Sequence, residues 1–153
     1  MSVVYSPVTY VDVTLSCDTS ALTANDVAAD TQVVTDALPF YGQPGILQSL
    51  TLLDGDDQTA AAVDIYLLSS NVSLGTENAA ISITDANAAS ILGVVSIASG
   101  DWKDLIASKL ANINNIGMIV KPAANSRDLY VAMVVAGTPT YTAAGQKLRL
   151  GFI

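Results

Sequence analysis

The sequence lacks histidine altogether and contains a single cysteine, Cys17, among its 153 residues. Histidine is the usual general base near neutral pH and the commonest metal ligand, so its absence argues against most hydrolytic and metal-dependent enzymes. One cysteine cannot form a disulfide within the chain, and Cys17 is expected to be a small buried hydrophobe. A Gly-x-Ser-x-Gly nucleophile motif and a glycine-rich phosphate loop are also missing. The sequence therefore predicts a protein that is not an enzyme and has no cofactor or metal site.

Long apolar runs are missing too, although 51% of the residues are hydrophobic. A helix needs about 18 to 20 consecutive apolar residues to cross a bilayer, and this chain has no such run. The first residues, MSVVYSPVTYVDV, lack the basic and apolar regions of a signal peptide. The sequence therefore predicts no signal peptide and no membrane partner.

Basic residues are few and unevenly placed, because the chain has six Lys and Arg against 14 Asp and Glu, a net charge of −8. All six basic residues follow position 102, whereas twelve of the 14 acidic residues precede it. Nucleic acid is not an expected partner, since an acidic protein cannot neutralise phosphates. Two explanations of the asymmetry stay open. Late strands pair with early strands inside one sheet, or an acidic face meets a basic face of another copy or partner.

Acidic residues cluster at Asp54-Gly55-Asp56-Asp57 between two apolar segments. This cluster lacks the spacing and the final glutamate of a calcium-binding loop. Asp-Gly is typical of a hairpin turn, so we predict a β-hairpin with strands at 45–53 and 61–68.

Alternating apolar and polar residues predict strands at 11–15 and 147–152. Further strands are predicted, by apolar or β-branched composition, at 31–40, 79–83, 91–97, 116–120 and 129–135. Short helices are predicted at 84–89 and at 101–110, where Trp102, Leu105, Ile106 and Leu110 share a helical face.

This pattern predicts an all-β fold, an antiparallel β-sandwich of the jelly-roll kind with about eight strands and one or two short helices. Residues 1–10, which include Pro7, are predicted to form an N-terminal arm or edge segment. Residues 11–153 are predicted to form a single β-sandwich domain.

Four segments carry a family resemblance: GILQSLTLLDGDDQ (45–58), AAVDIYLLSSN (61–71), ILGVVSIASGDW (91–102) and SRDLYVAMVVAGTPTYTAAGQKLRLGF (126–152). They resemble small virion structural proteins of tailed bacteriophages, in particular capsid decoration, or cement, proteins. The resemblance implies a non-enzymatic homotrimer that is made in the host cytoplasm and binds the major capsid protein. On the outer capsid surface it would bridge neighbouring shell subunits.

Two other functions stay open at this point. One is a tail, baseplate or fibre-associated virion module. The other is a carbohydrate-binding β-sandwich, with an aromatic platform drawn from Tyr41, Tyr66, Trp102 and Tyr141. For the decoration function, the candidate interface residues are Tyr5, Pro7, Tyr10, Arg127, Thr138, Pro139, Tyr141 and Arg149.

Overall fold

The alternating segments form nine strands within residues 7–153, the part of the chain that the computed structural model describes. Their bounds are β1 Thr9–Leu15, β2 Val27–Val34, β3 Gly45–Asp54, β4 Val63–Leu68, β5 Ile91–Ile97, β6 Trp102–Asp104, β7 Lys109–Val120, β8 Leu129–Val135 and β9 Gln146–Phe152. A short helix, α1 (Asp85–Ala88), is capped by the Thr84 side chain, which accepts a hydrogen bond from the Asn87 amide. A 3-10 turn covers Ser99–Asp101.

The strands form two antiparallel sheets that pack face to face. The five-stranded sheet has the order β1-β9-β3-β7-β6, and the four-stranded sheet has the order β2-β8-β4-β5. The chain passes repeatedly from one sheet to the other, and β9 returns to lie between β1 and β3. This is the strand order of a jelly roll, with β6 added at one edge. The predicted all-β, jelly-roll-like sandwich is confirmed.

The main core lies between the sheets and is built from the inward-facing residues of each alternating strand. Leu50 and Leu52 from β3, Ile65 from β4, Val131 from β8 and Phe152 from β9 are all buried there. In β3 and β4 the polar neighbours in sequence, such as Thr51 and Asp64, point outward, as the period of two requires.

The outer faces of the two sheets differ. Residues 69–84 cross the outer face of the four-stranded sheet, and Leu74, Ile81 and Ile83 pack there with Leu68 and Val134 in a second apolar cluster. Within residues 7–153 the outer face of the five-stranded sheet has no comparable apolar cover. That face is therefore the better candidate for contact with another molecule.

The predicted helix at 101–110 is wrong. Residues 102–104 form β6, which pairs with β7 through Trp102↔Ala111 and Asp104↔Lys109. The Trp102 indole packs against the main core and donates a hydrogen bond of 2.9 Å to the Ala61 carbonyl. Strand pairing and this anchored indole therefore override the helical spacing of the apolar residues.

The predicted hairpin across Asp54-Gly55 is also wrong. β3 pairs with β7 and β9 in one sheet, whereas β4 pairs with β5 and β8 in the other. The turn after β3 thus leads the chain from the five-stranded sheet to the four-stranded sheet and does not form a β-hairpin.

Several segment bounds differ from the sequence predictions as well. β1 includes Thr9 and Tyr10, which the sequence assigned to the arm, and β2 ends at Val34. Residues 79–83 contribute only an isolated bridge between Ala80 and Asp26. The division into an arm and one domain stays a prediction.

Candidate interaction surface

Six exposed apolar side chains gather at one end of the five-stranded sheet and on the loop beside it. Residues 7–153 contain ten substantially exposed large apolar side chains. The six at this end, which we call the end patch, are Val8, Tyr10, Phe40, Tyr41, Ile119 and Ile153.

Cross-strand pairing places three members of the end patch in one row. Ile119 on β7 is the register partner of Ile46 on β3. Ile46 exchanges two backbone hydrogen bonds, of 2.8 and 2.9 Å, with Ile153 at the end of β9. Val8 precedes Thr9, the partner of Phe152, and therefore lies opposite Ile153. Large β-branched side chains thus cross four adjacent strands at this end.

The loop from 35 to 44 brings Phe40 and Tyr41 to the same end. The Thr9 hydroxyl donates a hydrogen bond of 2.6 Å to the Ala37 carbonyl. Leu38 occupies the space above Gly45 at the start of β3, where an added β-carbon would lie 2.6 Å from its methyl group. These two contacts hold the aromatic loop against the β1 and β3 strand ends.

Two arginines stack on tyrosines of the end patch. The Arg149 guanidinium lies 5.0 Å from the Tyr10 ring centroid, and its Nε and Nη2 donate hydrogen bonds of 2.6 and 3.0 Å to Asp12. The Arg127 guanidinium lies 5.2 Å from the Tyr41 ring centroid and is paired with Asp36. Stacking and ion pairing, which is bidentate for Arg149, fix side chains that would otherwise lose entropy on binding.

The Asp12 carboxylate is stabilised in its charged form. The hydrogen bond from Arg149 is the main reason that the pKa of Asp12 lies below its ordinary value. The carboxylate is therefore ionised at neutral pH, and the pair is lost only when the pH falls through that lowered pKa.

Basic residues late in the chain meet acids early in the chain. The pairs are Lys109 with Asp57, Arg127 with Asp36, and Arg149 with Asp12, at sequence separations of 52, 91 and 137 residues. The late strand β9 pairs with the early strands β1 and β3. Pairing of late with early strands inside one sheet is therefore confirmed for Arg149 and Asp12, whereas the other two pairs involve loop residues of the same chain.

Three candidate interface residues come together at this end, namely Tyr10, Arg127 and Arg149. Pro7 is half-buried just before the end patch, and Tyr5 lies outside the described residues. Thr138 is exposed, but it lies in the connector between β8 and β9 at the opposite end of the sheet. The roles of these residues in an interface stay predictions.

Pro139 and Tyr141 do not have the exposure on which their choice rested. Both are buried, and the Pro139 carbonyl accepts a hydrogen bond of 3.1 Å from the Leu22 amide. The Tyr141 ring belongs to the main core, and burial raises the pKa of its hydroxyl above the ordinary value. The connector folds inward here because its apolar side chains cover the end of the core.

Sequence reasoning missed Phe40, Ile119 and Ile153 as surface residues. Phe40 is the last residue of the predicted strand 31–40, and Ile119 lies one residue before the end of the predicted strand 116–120. Near a strand end the alternation does not show which side of the sheet a residue faces. One local signal for Phe40 was its position directly before the turn Tyr41-Gly42-Gln43-Pro44-Gly45, since loops of this composition run over the surface.

Within the described ranges, no group of three or more His, Cys, Asp or Glu residues could hold a metal ion. Asp54 and Asp56 instead accept hydrogen bonds from backbone amides and from the Gln146 and Thr142 side chains. No helix in residues 7–153 is long and apolar enough to cross a membrane.

Cys17 is buried as expected, and we therefore predict that its thiol reacts slowly in the native protein. Desolvation is the largest cause that raises the pKa of the Cys17 thiol, to about 12. We expect the native protein to resist iodoacetamide at pH 8, because alkylation requires an exposed thiolate. The guanidinium-unfolded chain should gain one adduct, measured by intact mass. Rapid alkylation of the native protein would contradict this placement.

Neither a protein-family model nor a curated protein matches the chain. Among solved structures, a chain of Desmodium yellow mottle tymovirus is similar with a TM-score of 0.31 and 12% sequence identity. The similarity covers 99% of this chain and 83% of that chain. A similarity at this TM-score assigns neither a fold nor a function to the protein.

Proposed function

We propose that this chain is a non-enzymatic structural protein of a virion that decorates and cements the outer capsid. The end patch carries the proposal. Exposed apolar clusters mark interaction surfaces, and Tyr, Phe and Arg are enriched where proteins bind each other. The end patch combines these residue types with two arginines already fixed by stacking and ion pairs. It suits a protein partner, here the major capsid protein.

The jelly-roll strand order supports the same choice by analogy. Jelly rolls occur in viral capsid proteins, lectins and cupins, so the fold limits the protein to a few functional classes. The exposed residues must then distinguish between these classes. A sugar platform needs exposed aromatic rings. Of its four candidates, Tyr141 is buried, Tyr66 and Trp102 are half-buried, and Tyr41 is exposed. The surface therefore favours protein contact over carbohydrate binding.

Cementing follows physically from a rigid β-module that contacts two shell subunits. A specific interface covers roughly 800 Å² of each partner, about a tenth of a small protein's surface. The chain exposes 7674 Å², so it has room for contacts to more than one subunit. Each contact adds buried area across a junction of the shell and opposes its rupture. A homotrimer, as the resemblance implies, would multiply modest contacts by avidity.

The copy number per virion tests the proposal. We expect hundreds of copies, in a simple ratio to the major capsid protein, when virions encoding this chain are purified and analysed by quantitative mass spectrometry. A handful of copies would assign the protein to the tail or baseplate. Absence from purified particles would refute both virion functions.

Matched variants test the end patch itself. Ile119 and Val94 are both exposed apolar strand residues, but Val94 lies on β5 in the other sheet. Ile119→Asp should reduce the copies retained on the virion, whereas Val94→Asp should not. Equal retention of the two variants would place the docking surface elsewhere.

A further inference from the structure

β6 is an addition to the eight-strand jelly-roll order, and the hairpin that it forms with β7 has an apolar tip. Leu105 is 51% exposed and Ile106 is 91% exposed. The tip is ordered by the Leu105 amide, which donates to the Ser108 carbonyl at 2.8 Å, and by Asp104 Oδ1, which accepts from the Ile106 amide at 2.8 Å. The hairpin therefore presents two large aliphatic side chains to solvent on a fixed turn.

Ile106 occupies a backbone conformation that disfavours it. Its φ is +79°, and a β-branched residue in this left-handed region is strained. At 91% exposure it gains almost no packing within its own chain. Glycine or asparagine would adopt the same turn with less strain. Strained backbone positions cluster at functional sites. The feature that isoleucine adds here, and that glycine or asparagine would not, is a large exposed aliphatic side chain.

A groove that matches this tip lies on the uncovered outer face of the five-stranded sheet. Leu53 and Leu110 face each other across β3 and β7, and Lys147 on β9 is the register partner of Leu53. The groove has a volume of about 200 Å³. A cavity of about 150 Å³ already holds a benzene-sized group, so the groove can receive a branched aliphatic side chain.

The lysines beside the groove and the aspartate at the tip carry opposite charges. Lys147 has no carboxylate partner within residues 7–153, nor has Lys103, the register partner of Leu110. The two leucines thus lie between two unpaired lysines on one row across the sheet. At the tip, Asp104 directly precedes the two exposed aliphatic residues and is not paired with a cation in the described part of the chain.

We propose that the Asp104–Leu105–Ile106 tip of one copy binds in the Leu53–Leu110 groove of a second copy. Leu105 and Ile106 cover the two leucines, and Asp104 pairs with Lys147. The tip cannot reach its own groove, because it extends from the edge strand β6 and Lys147 lies three strands away on β9. Because each copy carries both halves, two copies can pair reciprocally, or several copies can form a head-to-tail ring where the rotation between them closes. The Arg149–Asp12 ion pair also lines the groove, and Arg149 stacks on Tyr10, so the groove adjoins the end patch but uses different apolar side chains.

Native mass spectrometry and sedimentation velocity on the full chain test this assembly. We expect the wild-type protein to form a closed oligomer. Ile106→Gly removes the side chain and relieves the strained φ, so lost assembly cannot be attributed to misfolding. It should weaken self-association by roughly tenfold or more. Circular dichroism and thermal unfolding check that the variant keeps its fold.

Charge removal tests the specific pairing. Asp104→Asn keeps the side-chain oxygen that accepts from the Ile106 amide and removes the charge, whereas Lys147→Gln removes the opposite charge. Each should weaken self-association, and the double variant should be little weaker than either single variant. A monomeric wild type, an oligomer indifferent to Ile106→Gly, or a double variant whose loss equals the sum of the two single losses would overturn the proposal. A monomer whose tip variants lose virion binding would assign the tip to a shell subunit, which also overturns pairing between copies.

Discussion

Replacing Phe152 with alanine is expected to lower the free energy of unfolding by about 3–5 kcal/mol. Phe152 is the largest of the fully buried side chains and is 1% exposed. It lies near the end of β9 with Thr9 of β1 on one side and Leu47 of β3 on the other. Both neighbouring strands are held by hydrogen bonds, so the cavity cannot close by movement of the backbone. Truncation therefore removes apolar burial and leaves most of the void open.

The adjacent residue is the matched control. Ile153 is 46% exposed and belongs to the end patch, so Ile153→Ala should change stability by less than about 0.5 kcal/mol. Urea unfolding measures both variants, and an unchanged m-value would show that the denatured state is not the cause. Similar losses for both variants would contradict the assignment of the inward and outward faces of β9.

The first and last strands could be predicted because their alternation has one physical cause. Val11, Val13, Leu148 and Leu150 face the core, while Asp12, Lys147 and Arg149 face water. A strand with one buried face repeats every two residues whatever its partners are, so the local pattern suffices. The pairing of β9 with both β1 and β3 does not follow from that pattern.

Helical spacing misled at residues 101–110 because a short apolar run fits either period. Trp102 and Leu110 are anchored by pairing between β6 and β7, and Leu105 and Ile106 belong to the exposed turn between these strands. A turn with an isoleucine at positive φ lacks the usual glycine or asparagine signal. The β6–β7 hairpin and its tip therefore could not be predicted from the local sequence.

The candidate surface was only partly predictable for a similar reason. Tyr10, Arg127 and Arg149 were chosen as amphipathic or charged residues, and the fold brings them to one end. Ile46, Ile119 and Ile153 meet only because three distant strands pair. Such contacts depend on sheet assignment, as the failed hairpin at Asp54-Gly55 also shows, and local composition does not specify which sheet a strand joins.

Asp54 is the site of the second large expected effect. Its side chain is buried, and Oδ1 accepts hydrogen bonds from Gln146 Nε2 at 2.7 Å and from the Asp56 amide at 2.9 Å. Oδ2 accepts from the Gln58 amide at 3.1 Å. One carboxylate thus joins the turn after β3 to the start of β9. Asp54→Ala is expected to lower the free energy of unfolding by about 3–5 kcal/mol, because several donors lose a charged acceptor in a buried site.

Asp54→Ala should also loosen the connector between β8 and β9, because the same hydrogen-bond network holds that segment. Asp56 accepts hydrogen bonds from the Thr142 amide and hydroxyl, and Gln58 Oε1 accepts from the Thr140 amide. Hydrogen exchange at the amides of Thr140 and Thr142 should therefore accelerate in Asp54→Ala. Asp12→Ala is the matched control, since it removes an aspartate that also accepts charged hydrogen bonds but is exposed, where water screens the interaction. Urea unfolding should give a much smaller loss for Asp12→Ala. Equal losses, or unchanged exchange in the connector, would mean that the buried carboxylate does not hold these two loops together.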